Sequence, residues 1–303
     1  MLTLVLVIST FLTPLIQGTE QQPTSTRVAV LDLGQSTIAT VARDRVLDSL
    51  KGTTLSILDP DQSRAAARGL GYDGSLNLER RQAKELGAVL GAEFYVTGDV
   101  QTIKRSPSSG FDYFESYATL FVVSSRTGNL VTWLRPCFQA RTAAQSEKLL
   151  LDELSGPNVR NRTIATINRA RDKEQLERDL ALSINEPTIE EAPDELQAAA
   201  EGLRLPRPFR RIRPSYTDDA AQAEVEATVD IIADIDVDGD VNHAHVERWA
   251  GFGLDEATLE AVMSLRFFPA MRKGSPVPIR VLLRYNFRKQ APSNQHYNAT
   301  TTQ

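Results

Sequence analysis

The sequence predicts an α+β protein: an N-terminal α/β domain with a mixed sheet, a helical and Pro-containing linker, and a small C-terminal ββαβ domain. Three observations predict it. Short apolar runs alternate with helix-period segments through the first half of the chain. Strict two-residue alternation fills Ala223 to Val237 and returns between Pro278 and Arg288. Finally, 303 residues exceed what one core usually organises, which favours two domains.

In the first domain, RVAVLDL at 27–33 is a nearly continuous apolar run closed by Gly34, the pattern of a buried strand. A helix is expected next, capped by Ser36 or Thr37, with Ile38, Val41, Val46 and Leu50 near helical spacing. LSILD at 55–59 reads as a second strand. Leu78, Ala83, Leu86 and Leu90 mark a helix between Leu76 and Ala92, which runs into the strand EFYVTGDVQTI. Strands at about 113–124 and 130–140 follow, joined by Arg-Thr-Gly-Asn as a hairpin turn. This α/β domain is expected over 25–155.

From 156 to 210 the chain turns polar and helix-prone. RDKEQLERDLALSI carries i,i+4 charge pairs, and NEPTIEEAPDE and LPRPFRRIRP add five prolines and a switch from acidic to basic charge. A linker is expected there. The second domain is expected over 211–290, with a disordered tail at 291–303. Its first strand ends at Asp238-Gly239, a favoured hairpin dipeptide, and the return strand runs from Val241 to Arg248. Leu254, Thr258, Ala261, Val262 and Leu265 then recur at helical spacing. In the closing strand Ile279, Val281, Leu283, Tyr285 and Phe287 share one face. The order is strand, strand, helix, strand, and the agreement of pattern, turn and helix predicts a unit that folds alone over 205–290.

Composition narrows function. A formal net charge of −5 argues against tracking a phosphate backbone with the whole surface. The single Cys137 excludes an intramolecular disulfide framework and a Cys-rich zinc site. The first eighteen residues, MLTLVLVISTFLTPLIQG, hold no charge and give way to polar TEQQPTST. They are expected to be an export signal, cleaved to leave a soluble periplasmic protein or kept as an inner-membrane anchor.

RPSYTDDA, VDIIADIDVDGDV, GFGLDEATLEAV, LRFFPAMRKGSPVP and the closing RVLLRYNF together resemble the C-terminal domain of TonB-family energy transducers. The match is carried by Pro214 and Tyr216, Gly239, Gly253 and Leu254, and Phe268, Pro269 and Ala270, read as structural positions of the family motif. The N-terminal VAVLDL and LGAVLGAEFYVTGDVQ are similar to the α/β domain at the start of TolB and in CsgG-like envelope proteins. The resemblance implies a non-enzymatic protein that binds a short peptide of an outer-membrane transporter by strand addition, with an ExbB/ExbD-like motor as a second partner. An α/β domain stands where a transducer's long Pro-rich spacer would be. A non-transducing envelope scaffold that binds through its N-terminal domain is therefore the alternative.

If the closing strand is a sheet edge, Arg280, Leu282, Arg284 and Asn286 flank the incoming peptide, and the arginines favour an acidic partner. No cofactor, metal or catalytic residue is expected. Asp234, Asp236, Asp238 and Gly239 mimic the opening of an EF-hand loop, but His245 stands where a bidentate Glu is required, so turn chemistry is the reading. His243 and His245 share a strand face without an evident third ligand. VLDLG lacks the companion phosphate loops of actin-like ATPases and reads as a strand-to-helix turn. Arg204, Arg207, Arg210, Arg211 and Arg213 fit either contact with anionic lipid or cell-wall polymer or the solvation of a linker.

Overall fold

β1 (Thr26–Val30), α1 (Ala39–Leu50) and β2 (Leu55–Ile57) form the first strand-helix-strand unit of the chain. α2 (Pro60–Gly69) and α3 (Arg80–Leu90) lead into the long strands β3 (Phe94–Arg105) and β4 (Tyr113–Ser124). β5 (Leu130–Leu134), β6 (Cys137–Ala140), α4 (Ala143–Ser155) and α5 (Pro157–Ala181) complete this half. The structure, a computed structural model, describes residues 25–181 and 189–289. The expected export segment and the tail at 291–303 lie outside the described residues.

The sheet runs β2-β1-β3-β4-β5, with β6 also on β4. β1 is parallel to β2 and β3, and the other pairings are antiparallel, so the sheet is mixed as expected. Both faces are buried, which explains continuous apolar runs where a half-exposed sheet would alternate. Val28, Val30, Phe94, Val96, Leu120 and Val122 face α1, α4 and α5 in one cluster. Their neighbours Ala29, Leu31, Tyr95, Phe121 and Val123 belong to a second cluster on the other face. Leu150, Leu154, Val159 and Ile167 are buried in the first cluster, so the core of this half reaches into α5.

Three elements of this half differ from the sequence reading. α2 is an additional helix, capped by the Asp59 side chain, which accepts from the amides of Asp61 and Gln62, and started by Pro60. The run at 130–140 is two strands, because Pro136 has no N–H to contribute to the ladder. α1 also begins later than expected, at Ala39, with no side-chain cap.

The C-terminal half adds α6 (Glu195–Ala200), β7 (Leu203–Arg204), β8 (Arg207–Pro208) and α7 (Asp218–Gln222). β9 (Ala227–Ile235), β10 (Val241–Arg248), α8 (Leu254–Met263) and β11 (Phe267–Phe268) follow. β12 (Ala270–Arg272), β13 (Ser275–Val277) and β14 (Ile279–Phe287) close the chain. The principal sheet is β10-β9-β14, antiparallel throughout, and α8 packs on it. The expected ββαβ order is present, with short ribbons β8–β11 and β7–β12–β13 around it. β9 starts four residues later than the alternation suggests. Thr217 caps α7 through the amide of Ala220, and Glu224 turns the chain with a φ of 52° before the strand begins.

The second face of the first sheet is covered by α2, α3 and the C-terminal half together, in one cluster that contains Leu31, Tyr95 and Phe121 as well as Val229, Ile231, Trp249 and Phe252. Phe121 meets the rings of Trp249 and Phe252 edge-on at 5.5 and 5.8 Å, and Trp133 lies 5.2 Å from Phe252. Polar clamps frame this contact. The Trp249 indole donates to the Gly128 carbonyl at 3.0 Å. The Asn77 amide donates to the carbonyls of Thr228 and Trp249 and accepts from the Thr228 N–H. Arg248 reaches Asp230, Glu79 and the Asn77 carbonyl.

Candidate functional site

The face of the β10-β9-β14 sheet turned toward the core carries Val229, Ile231, Ala233 and Ile235, all buried. Opposite it, the register sets residues in rows: His243, Asp234 and Arg280; His245, Ile232 and Leu282; Arg248, Asp230 and Arg284. Asn286 stands across from Thr228, whose hydroxyl donates to the Asn286 side-chain oxygen at 2.8 Å.

The two arginines of β14 are held by the neighbouring strand. Arg280 makes a two-point contact with the buried Asp234 at 2.6 and 2.9 Å, and Arg284 does the same with the buried Asp230 at 2.7 and 2.9 Å. This revises the expectation that they draw an acidic partner, since each guanidinium already spans a carboxylate. Leu282, 54% exposed, is the apolar side chain that β14 presents outward.

Backbone direction is the second half of the site. The Arg280 N–H donates to the Glu190 carbonyl and the Arg280 carbonyl accepts from the Ala192 N–H, so both groups of Arg280 point away from β9. By the two-residue repeat of an antiparallel ladder, the N–H and C=O of Leu282, Arg284 and Asn286 point the same way. β14 is thus an edge whose first outward residue is paired by the chain's own segment 190–192 and whose next three have no backbone partner among the described residues. At the other edge, Glu79 bridges to Arg248 at the end of β10.

The aspartates have a pH signature. Burial raises the Asp230 carboxyl, but hydrogen bonds from Arg284 and Arg248 outweigh it and hold the group below the usual carboxylate range. The hydrogen bond from Arg280 lowers Asp234 against a smaller effect of burial. A folded pKa below the unfolded value of about 3.9 means stabilisation that is complete above that value and lost as pH falls through the folded pKa. The melting temperature should therefore drop more steeply below about pH 4 in the wild type than in Asp230→Asn. The variant should also melt lower at neutral pH, because it leaves Arg248 and Arg284 without their shared carboxylate. Parallel acid profiles for the two proteins would contradict this role.

The remaining sequence candidates are bland in place. Burial, with Arg80 and His243 nearby, pushes His245 down to about 4, so the ring is neutral at neutral pH. No group of three His, Cys, Asp or Glu suited to a metal ion occurs among the described residues. Asp236 accepts from the amides of Asp238 and Asp240, which is turn chemistry. Beyond the carboxyl end of β1 and beside the middle of β3 a cavity of about 740 Å³ is lined by Asp32, Gly34, Arg64, Arg68, Asp73 and Asp99. A Cβ on Gly34 would overlap the Asp99 carboxylate, so an anionic group crowds the turn where a phosphate would have to approach.

Residues 212–288 match the family described as Gram-negative bacterial TonB protein C-terminal. This segment is a TonB C-terminal domain. No curated protein matches the chain. A solution NMR structure of the Pseudomonas aeruginosa TonB CTD is 23% identical, with 28% of this chain and 88% of that one covered and a TM-score of 0.25. The LpoB C-terminal domain from Salmonella enterica is 13% identical over 40% of this chain and 87% of that one, with a TM-score of 0.28. A PelC dodecamer from Paraburkholderia phytofirmans is 13% identical over 43% and 84%, also with a TM-score of 0.28. These are likenesses of part of the chain.

The residues that carry the resemblance each have a structural reason in this fold. Gly239 turns the hairpin at a φ of 85°, and a Cβ there would overlap the Phe267 carbonyl; the Phe267 N–H donates to the Gly239 carbonyl at 2.8 Å. Gly253 takes a φ of 75° at the start of α8, and the adjacent Leu254 is fully buried. The Tyr216 hydroxyl donates to the carbonyls of Ala220 and Val225, and its ring stacks on Phe287. Pro214 and Pro269 are half-buried and Ala270 is buried. Phe268 differs from the rest of the set in being 48% exposed.

Among the described residues, no helix is long and apolar enough to cross a membrane.

Proposed function

We propose that the chain is a cell-envelope binding protein facing the bacterial periplasm, which takes up an extended segment of an envelope or outer-membrane partner along β14. The observation that carries this reading is the open run of outward backbone groups at Leu282, Arg284 and Asn286, on the last strand of a TonB C-terminal domain. Main-chain hydrogen bonds would supply affinity, and contact with Leu282 would favour an apolar side chain in register with it.

A second choice concerns energy transfer. The shared core of Phe121, Trp249 and Phe252 fixes the TonB C-terminal domain on the α/β domain, which favours an assembly or scaffold role over a reaching arm coupled to an ExbB/ExbD-like motor. Capture of tagged full-length chain from crosslinked cells tests both parts. An envelope or outer-membrane protein is expected in the eluate without an ExbB/ExbD-like motor. Recovery of the motor would overturn the scaffold role, and recovery of neither class would overturn binding.

A further inference from the structure

The ribbon of β8 and β11 carries a feature that strand addition does not use. Phe268 lies opposite Arg207, Phe267 lies opposite Pro208, and the Phe209 N–H donates to the Arg266 carbonyl, which extends the ribbon by one more pair. The two-residue repeat therefore puts Arg207, Phe209, Arg266 and Phe268 on one face, arginine across from phenylalanine in both rows. On the other face Phe267 is buried and anchors the ribbon to the core.

The outward face is exposed. Phe209 is 56% and Phe268 48% accessible, with ring centroids 4.3 Å apart, and the Arg207 guanidinium sits 5.1 Å above the Phe268 ring. The chain continues through Arg210, Arg211 and Arg213, also exposed. Among the described residues, Arg204, Arg207, Arg210, Arg211 and Arg213 have no acidic partner, whereas Arg43, Arg64, Arg248, Arg272 and Arg284 are all ion-paired. In a chain of net charge −5, five arginines without an acidic partner between residues 204 and 213, the segment that also carries the exposed Phe209, form a local anion-seeking stretch.

We propose that this face docks on an anionic lipid bilayer, with Phe209 and Phe268 entering the boundary between headgroups and acyl chains and the arginines on lipid phosphates. The two rings and the unpaired Arg207 lie on one face, as an interfacial contact requires, while Arg266 on the same face is tied to Asp240 at 3.2 Å and Arg210, Arg211 and Arg213 follow directly in the exposed chain. An acidic peptide fits less well: the strands of the ribbon are two residues long, too short to template another strand, and the arginines spread along an extended segment. A second copy of the chain would bring like charge against like.

The test is vesicle co-sedimentation of the full chain, with neutral phosphatidylcholine vesicles compared with vesicles containing phosphatidylglycerol. The apolar residues at the start of the sequence are common to every variant and both vesicles, so the readout is the ratio of anionic to neutral binding. That ratio should be well above one and fall with added salt. Replacing Arg207, Arg210, Arg211 and Arg213 by glutamine should lower binding to the anionic vesicles on the order of a thousandfold. Phe209→Ser should lower it about tenfold. Because these side chains are exposed, unchanged melting curves are expected for both variants. A ratio near one, wild-type binding by the folded variants, or binding of a polyglutamate peptide through the same residues without any preference for anionic vesicles would each overturn the proposal.

Discussion

Trp249→Ala is expected to lower the stability of the full chain by about 3–5 kcal/mol, the range for removing a large buried aromatic. Trp249 is 1% exposed, meets Phe121 of β4 edge-on at 5.5 Å and donates its indole N–H to the Gly128 carbonyl. The substitution opens a cavity between the two halves and leaves that carbonyl without its donor. Its effect should therefore reach beyond the TonB C-terminal domain. In urea, with unfolding followed by circular dichroism, the wild type should unfold in one transition, since both halves contribute to one apolar cluster. The variant should have a lower midpoint. The same contact bears on residues 205–290 expressed alone: that segment keeps the hairpin and α8 but exposes the surfaces of Trp249 and Phe252 that Phe121 covers. It should be less stable than the same residues within the chain. A cost below about 1 kcal/mol for Trp249→Ala would mean that the halves are merely adjacent.

What could be read in advance was local. The return strand at Val241–Arg248, the helix after Gly253 and the closing strand all stand where periodicity and turn chemistry put them. The α2 helix was signalled by Asp59-Pro60, a capping residue before a proline at the first helical position, but its apolar residues after Pro60 are three consecutive alanines, Ala65 to Ala67, which mark no face by themselves. The contact between the halves had no such signal. Asn77 and Thr228, or Phe121 and Trp249, are joined only by the fold, and their apolar or amide character is equally suited to an ordinary core.

The pairing of Arg280 with Asp234 and Arg284 with Asp230 is an intermediate case. The four-residue spacing is the same on both strands, as antiparallel pairing demands, so the match was present in the sequence. Reading it required the register. Once the strands are aligned, the arginines change from lures for an acidic partner to internal ties, and the recognition surface shrinks to backbone groups and Leu282. Composition places the segment 190–192 in a linker, yet it takes the first outward position of β14.

That reduced surface gives the sharpest contrast on β14. Leu282→Pro should abolish partner binding, a loss of tenfold or more in affinity, while the fold survives. The Leu282 N–H follows the direction of Arg280, away from β9, so a proline there breaks no bond of the β9–β14 ladder. Its ring instead removes the first open donor and stands in the path of an added strand. Val281→Pro is the control one residue away. The Val281 amide faces Ala233 of β9, so this proline deletes a ladder bond in the principal sheet and should destabilise the chain by about 3 kcal/mol or more. Thermal melts of the two variants, followed by capture of the partner that wild type retains, separate loss of an edge from loss of a fold. Full partner capture by Leu282→Pro would sink strand addition at β14. Unfolding of Leu282→Pro to the same degree as Val281→Pro would show that β14 is not an edge at all.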